Sequence, residues 1–268
     1  MNYLYRELMK HVLENGERVG TRNHPVIRSV AAPRFTLKRT PLVTIRKTAW
    51  KKALREMEWF LSGEDRCPDE LKDWWDGQLD PDGDYLLGYP HQFRNQDGHF
   101  DQIEAVVEGV WKHPNSRRNI ITTWNPFDME RITVINGNSK TPTTCHGTMV
   151  QFFVVEGALC MFHYQRSADM LLGLPHNLMQ YWALLLYFAH RTSLQPGWIN
   201  WQLGDAHIYD HESHRGPAMK MCYQMSPEDY AGDMVYKPEV EDGVFRASDF
   251  SLTKGVPEPL ITERPVLF

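Results

Sequence analysis

The chain has 268 residues, a formal charge of −5, 42% apolar and 24% charged residues, a balance that fits an ordinary folded protein and argues against disorder or broad nucleic-acid binding. Four cysteines, Cys67, Cys145, Cys160 and Cys222, stand far apart without a C-x-x-C pair, so neither a disulfide scaffold nor a thiolate zinc site is expected and a reducing cytoplasm is. The first residues, MNYLYRELMKHVLENG, carry charges throughout, and no run approaches eighteen uninterrupted apolar residues, so neither export nor membrane spanning is expected.

Leu4, Leu8 and Val12 recur at helical spacing ahead of Gly16, which predicts an amphipathic first helix closed by a glycine. Residues 17–40 are rich in Arg and Pro and read as irregular; PLVTI at 41–45 then reads as a short strand, with Thr48 as cap of the helix AWKKALREMEWFL. Glu56 falls inside that helix. Residues 64–99 contain DPDGD and read as a long loop region, after which IEAVVEGVW restores helical periodicity.

GTMVQFFVV and ALCMFHYQRS flank the two-residue turn Glu156-Gly157 and predict a β-hairpin. With that turn, Arg166 pairs with Gly147, and Cys145 lies one strand period beyond, on the face of Arg166. After LGLPHN, the segment LMQYWALLLYFAH reads as a buried helix, and further strands are expected around 198–209 and 233–237. With no repeat or linker in the sequence, the expectation is one α+β domain over residues 1–268.

A lone cysteine beside a histidine, as in Cys145-His146, reads by itself as structural. The hairpin alters that reading, because an arginine on the same face stabilises the thiolate, the form that attacks carbon. Arg117-Arg118 is either a solvated helix end or, through its guanidinium forks, a phosphate site. Glu56, among Leu54, Met57, Trp59 and Phe60, is either a surface carboxylate or one buried enough to titrate near neutrality. His207, His211 and His214 in HIYDHESH would share a face as zinc ligands on a helix, but WINWQLGD before them reads as a strand and no HExxH is present. No metal is therefore expected.

Together these segments resemble the thymidylate synthases over nearly the whole chain: PLVT followed by a helix with E-x-x-W-F-L from Glu56 to Leu61, NSRRNI at 115–120, Cys145-His146, YQRSAD at 164–169, LGLPHN at 172–177 and GDAHIY at 204–209. The resemblance implies a three-layer α+β fold, a mixed β-sheet packed by helices, and a homodimer built sheet to sheet. It implies dUMP as substrate and 5,10-methylenetetrahydrofolate as co-substrate, with no membrane and no stable nucleic-acid partner. By it, Cys145 adds to pyrimidine C6; Glu56 moves protons through ordered water; Tyr89 and Asp169 match positions of proton abstraction and folate binding. Arg166 and Ser167 meet the phosphate with Arg117 and Arg118 of the other subunit, Arg22 is a further candidate, and His207 and Tyr209 hold the sugar hydroxyl. Trp75, Leu172, Gly173 and His176 border the folate. Asn177 stands at the base-reading position, where one amide can donate to uracil O4 and accept from N3–H; cytosine presents the opposite order.

The departures from the family pattern gather on the folate side. Gln78 stands where a second tryptophan is common, His176 replaces a phenylalanine, and Tyr89-Pro90-His91-Gln92-Phe93 replaces Y-G-x-Q-W. The tail RPVLF keeps a partial likeness, and an R-T-G-T segment is missing. These differences favour capture of the C5 methylene by water, giving 5-hydroxymethyl-dUMP, over its reduction to dTMP. Cys145 to Gln151 spans six positions where the family has five, so one extra residue is expected as a bulge at the strand entrance, since an ungapped register would make His146 the nucleophile. A zinc metallohydrolase and a noncatalytic nucleotide-binding protein are the readings outside the family.

Overall fold

A computed structural model of the chain describes residues 1–21, 24–135, 144–224, 228–262 and 265. In chain order the helices are α1 (Asn2–Asn15), α2 (Trp50–Ser62), α3 (Lys72–Trp75), α4 (Tyr89–Arg94), α5 (Gln102–Lys112), α6 (Pro126–Ile135), α7 (Gly173–Arg191) and α8 (Glu212–Gln224). The strands are β1 (Glu17–Val19), β2 (Val26–Ser29), β3 (Phe35–Leu37), β4 (Ile120–Ile121), β5 (Met149–Val155), β6 (Ala158–Asp169), β7 (Gln195–Tyr209), β8 (Met234–Tyr236) and β9 (Phe250–Leu252).

β1, β2, β7, β6, β5 and β4 lie side by side in that order, with β3 also on β7; β6 and β7 run parallel and every other pair antiparallel. This is the mixed sheet of an α+β fold. The parallel pair requires a crossover, and α7 supplies it. Its apolar run buries residues all round the helix, from Leu174 to Ala189, because β6 and β7 lie on one side and α2 on another. Phe188 meets Phe152 of β5 across this layer. Each fully buried leucine contributes roughly 2 kcal/mol. Among the described residues no helix is long and apolar enough to cross a membrane.

Several local expectations change. Gly16 follows α1, but with extended backbone (φ −79°, ψ 151°) instead of a left-handed close. A Cβ there would lie 2.3 Å from the Val12 carbonyl oxygen, so close approach is what requires glycine. Residues 17–40 are less irregular than their composition suggests, since they hold β1, β2 and β3. PLVTI is not a strand: the Thr44 and Ile45 N–H groups donate to the Asn2 side chain, so a side chain replaces the ladder. Nor does Thr48 cap α2, because its hydroxyl donates to the Val43 carbonyl while the N-cap residue is Ala49, whose N–H donates to His176 Nε2 at 3.1 Å. The long loop at 64–99 contains the short helices α3 and α4. The tail residues 263, 264 and 266–268 lie outside the described residues.

The hairpin has the expected register, from Val155↔Ala158 to Met149↔Tyr164. Glu156 and Gly157 both have positive φ, 51° and 77°, the geometry of the tight turn that matches strand twist. The ladder stops before Gly147 and Arg166, so these two do not pair; the Arg166 N–H instead donates to Thr148 Oγ1 at 3.4 Å. Beyond them the Cys145 carbonyl accepts from the Ser167 N–H at 3.4 Å. Between the two backbone contacts the first strand runs from Cys145 to Met149 and the second from Tyr164 to Ser167, so the first carries one residue more. That is the expected bulge, and Gly147, at φ +60°, sits in it.

A Cβ on Gly147 would fall 2.2 Å from the Tyr181 hydroxyl as well as in the left-handed region. Gly147→Ala is therefore expected to destabilise the fold by about 2 kcal/mol, read from urea unfolding.

Candidate active site

The bulge takes its shape from side chains. The Tyr89 hydroxyl accepts the N–H groups of Cys145 at 2.6 Å and His146 at 3.1 Å, and His163 Nε2 accepts that of Gly147 at 3.0 Å. Thr123 completes the frame: its hydroxyl donates to the His146 carbonyl and its N–H to the Gly147 carbonyl. Three backbone donors that a regular strand would pair are thus satisfied one by one.

With the backbone so held, Cys145 and His146 point to different environments. His146 is buried, stacked on Tyr89 with ring centroids 4.3 Å apart, and its Nδ1 shares a hydrogen bond with the Tyr181 hydroxyl at 3.0 Å. Burial pushes its pKa down to about 3, so the ring is neutral. Cys145 is half-buried, with Sγ 3.7 Å from Nη2 of Arg166. Arg166 Nε donates to the Thr144 carbonyl at 2.9 Å, and the guanidinium carbon lies 4.7 Å from the centre of the Trp124 ring. The guanidinium is thus fixed against the thiol, and Trp124 is a partner that the sequence pattern did not single out.

A second group runs through the core beside it. Glu56 is buried and accepts hydrogen bonds from Trp75 Nε1 at 2.5 Å and Gln180 Nε2 at 2.7 Å. Burial is the largest influence on its carboxyl and raises the pKa from 4.5 to about 7, although both hydrogen bonds and Lys52 act in the opposite direction. Of the two readings of Glu56, the buried carboxylate holds. Gln180 accepts from Asn177 Nδ2 at 3.0 Å, and Asn177 Oδ1 accepts from Gln165 Nε2 at 3.0 Å. Gln165 and Gln180 were not singled out in the sequence. A lone glutamine in LMQYWALLL was the available signal for Gln180.

At the ends of β6 and β7, Asp169 and His207 are register partners. Asp169 Oδ1 accepts the N–H groups of Leu171 and Leu172 at 2.8 and 3.1 Å, which shapes the entry to α7. Burial opposes the charge on His207, but its hydrogen bond to Asp205 and the charges of Asp169 and Asp205 outweigh it and raise the pKa. Tyr209 is half-buried, with its ring 5.4 Å from that of His207 and 5.3 Å from that of His214. His207 lies on β7, whereas His211 precedes α8 and His214 lies within it. His207 faces Asp205, and His214 Nε2 lies 3.8 Å from Asp169. No group of three or more metal-ligating side chains forms among the described residues.

Leu172, Gly173 and His176 are half-buried at the start of α7, and the His176 ring lies 4.9 Å from that of Trp74. His176 is neutral, since burial lowers its pKa to about 4 against the opposing hydrogen bond to the Leu172 carbonyl. Trp75 is buried and committed to Glu56, while Gln78, three residues on, is exposed. Arg117 and Arg118 are exposed on the loop entering β4, at the opposite end of that strand from Trp124; the contact there is Gln151 Nε2 donating to the Arg117 carbonyl. This chain alone does not bring them to Cys145. Arg22 lies outside the described residues.

The raised pKa of Glu56 means that the folded state disfavours its ionised form. The cost is absent below pH 4.5, grows as pH rises, and is complete above pH 7. Wild type is expected to lose on the order of 3 kcal/mol of stability across that window relative to Glu56→Gln, measured by denaturation at pH 4.5 and pH 8.

A thiol beside a guanidinium, a buried carboxyl that titrates near neutrality and an amide linked to that carboxyl through Gln180 are parts suited to covalent activation of a polar ring. The family model for thymidylate synthase matches residues 3–264, the span that contains all of these groups. The chain belongs to the thymidylate synthase family, whose members transfer a one-carbon unit from methylenetetrahydrofolate to C5 of a pyrimidine nucleotide.

Proposed function

We propose that the protein hydroxymethylates dUMP: it transfers the methylene carbon of 5,10-methylenetetrahydrofolate to C5 and adds water to it, releasing 5-hydroxymethyl-dUMP and tetrahydrofolate. The observation that carries this choice is exposed Gln78, a polar side chain at the position where the family often has a second tryptophan. With Trp75 turned to Glu56, no indole from that position shields the transferred carbon from water.

The Cys145 thiolate attacks C6, and the C5–C6 electron pair moves toward O4, making C5 the nucleophile. The folate supplies the carbon. Once C5 has bonded to it, the C5 proton passes to water close to Tyr89 and the carbon–nitrogen bond to the folate breaks with its electron pair staying on nitrogen, so that tetrahydrofolate departs and the carbon becomes an exocyclic methylene on the pyrimidine. Water adds to that methylene and gives a proton to Glu56. Electrons return from the enolate, the C6–S bond breaks, and the Cys145 thiolate is regenerated. A carboxyl with pKa about 7 can both accept and return protons near neutral pH. Arg166 sits next to the sulfur at 3.7 Å and offers charge to the nucleotide phosphate with Ser167.

Asn177 reads uracil, His207 and Tyr209 hold the sugar, and Asp169, Leu172, Gly173 and His176 border the folate beside Trp74. Phe153, Phe162, Tyr164 and Trp198 lie on the sheet face opposite α7 and are half-buried at most. They support a sheet-to-sheet homodimer, which would carry exposed Arg117 and Arg118 to the partner's phosphate. Four free cysteines fit a reducing cytoplasm, and the continuous core cluster from Tyr5 to Ile261 fits a single domain.

Incubation with dUMP and methylenetetrahydrofolate, followed by mass spectrometry, should give 5-hydroxymethyl-dUMP without dihydrofolate. Formation of dTMP together with dihydrofolate rejects this product assignment in favour of a thymidylate synthase. Cys145→Ala is expected to lower turnover by about a thousandfold or more, and undiminished turnover would remove Cys145 from the mechanism.

A further inference from the structure

Between Glu56 and Asn177 stands Gln180, a residue with no assigned role. We propose that Gln180 is a positioning residue that fixes which end of the Asn177 amide faces the nucleotide base, and so sets the preference for uracil over cytosine. This rests on Asn177 as reader of the pyrimidine.

The hydrogen-bond directions carry the argument. Gln180 Nε2 donates to the Ala53 main-chain carbonyl at 3.0 Å and to Glu56 Oε2 at 2.7 Å. A carboxamide nitrogen has two protons, so both are used and Oε1 must turn toward Asn177. The Ala53 carbonyl accepts in either protonation state of Glu56, so titration of Glu56 does not release this orientation. Asn177 then presents Nδ2 to Gln180 at 3.0 Å.

The other side obeys the same rule. Gln165 Nε2 donates to the Ser167 main-chain carbonyl at 3.1 Å and to Asn177 Oδ1 at 3.0 Å. Two backbone carbonyls, one on α2 and one on β6, therefore set two glutamines, and the glutamines set Asn177. All three amides are buried, so an amide turned the wrong way leaves buried polar atoms without partners, which is costly. A reversed Asn177 would place oxygen against oxygen at Gln180 and nitrogen against nitrogen at Gln165.

One Nδ2 proton and one Oδ1 lone pair remain on Asn177. They match uracil O4 and N3–H. Cytosine, with N4–H2 and an unprotonated N3, needs the amide reversed, which the two glutamines oppose. Asn177 alone could rotate to suit either base, so discrimination belongs to the framework as well as to the reader. The uncommon feature in the sequence is a glutamine three residues after Asn177, where the helix turns apolar.

Two variants separate orientation from proton chemistry. Gln180→Met keeps an unbranched side chain of similar size but removes the acceptor; the ratio of kcat/KM for dUMP over dCMP should fall by about tenfold or more. Gln180→Glu keeps an acceptor oxygen toward Asn177, and should hold that ratio within about threefold. Its second carboxyl beside Glu56 should move the acid limb of the dUMP pH profile upward by about one unit or more. A purely structural role would lower both activities together and leave the ratio unmoved. The proposal is overturned if folded Gln180→Met discriminates as wild type does, or if Gln180→Glu loses discrimination. Should Gln180→Met fail to fold, the Gln180→Glu ratio and pH profile decide. Wild type is the control for the parent reading: if it neither binds nor turns over dUMP, the base-reading assignment itself is wrong. If it prefers dUMP and the variants miss their pattern, the role of Gln180 alone is wrong.

Discussion

The N–H groups of Cys145, His146 and Gly147 have no strand to pair with, and side chains from two separate elements satisfy them. Tyr89 on α4 takes two and His163 on β6 takes one. This exchange lets a chain with one extra residue enter the hairpin without leaving buried donors unpaired, each of which would cost about 1–3 kcal/mol. It also separates neighbouring side chains. His146 turns into the aromatic core against Tyr89 and Phe60, while Cys145 stays beside Arg166. For His163 to accept from Gly147 at Nε2 it must be neutral there, and burial between Tyr181 and Trp201 keeps its pKa well below 6.5.

The same aromatic core governs the carboxyl. Glu56 is surrounded by groups that remove water, and its two donors, Trp75 and Gln180, replace only part of the lost hydration. Burial wins by enough to place the pKa near neutrality, yet the donors prevent the carboxyl from being locked in its protonated form. Tyr85, packed on Trp59, Trp75 and Tyr89, encloses this region, and Gly88 leaves the space its ring fills: a Cβ there would come within 1.9 Å of the Tyr85 ring. Proton chemistry and packing are thus the same set of contacts.

Much of the arrangement was legible because it depends on short-range patterns. The Glu156-Gly157 turn fixes the hairpin register, and alternation then fixes which residues of β5 and β6 meet α7. The PLVTI and Thr48 readings failed for the opposite reason. Their partners come from distant segments, Asn2 for the former and His176 for the start of α2, and local propensity contains no information about them. Trp124 under Arg166 and Gln165 beside Asn177 escaped notice for that reason too.

The sequence by itself determined the family, through ordered motifs from Glu56 to Tyr209, and the hairpin register from Val155↔Ala158 to Met149↔Tyr164, because turn length and strand period are local properties. It also raised the register question at the extra residue. Tertiary structure decided that question: only the meeting of α4, β6 and the segment after β4 supplies the acceptors and donors that shape the bulge. The same meeting of distant elements buried Glu56 and joined it through Gln180 to Asn177. Desolvation and hydrogen-bond direction depend on everything that surrounds a group, and the residues surrounding these are far from them in the chain.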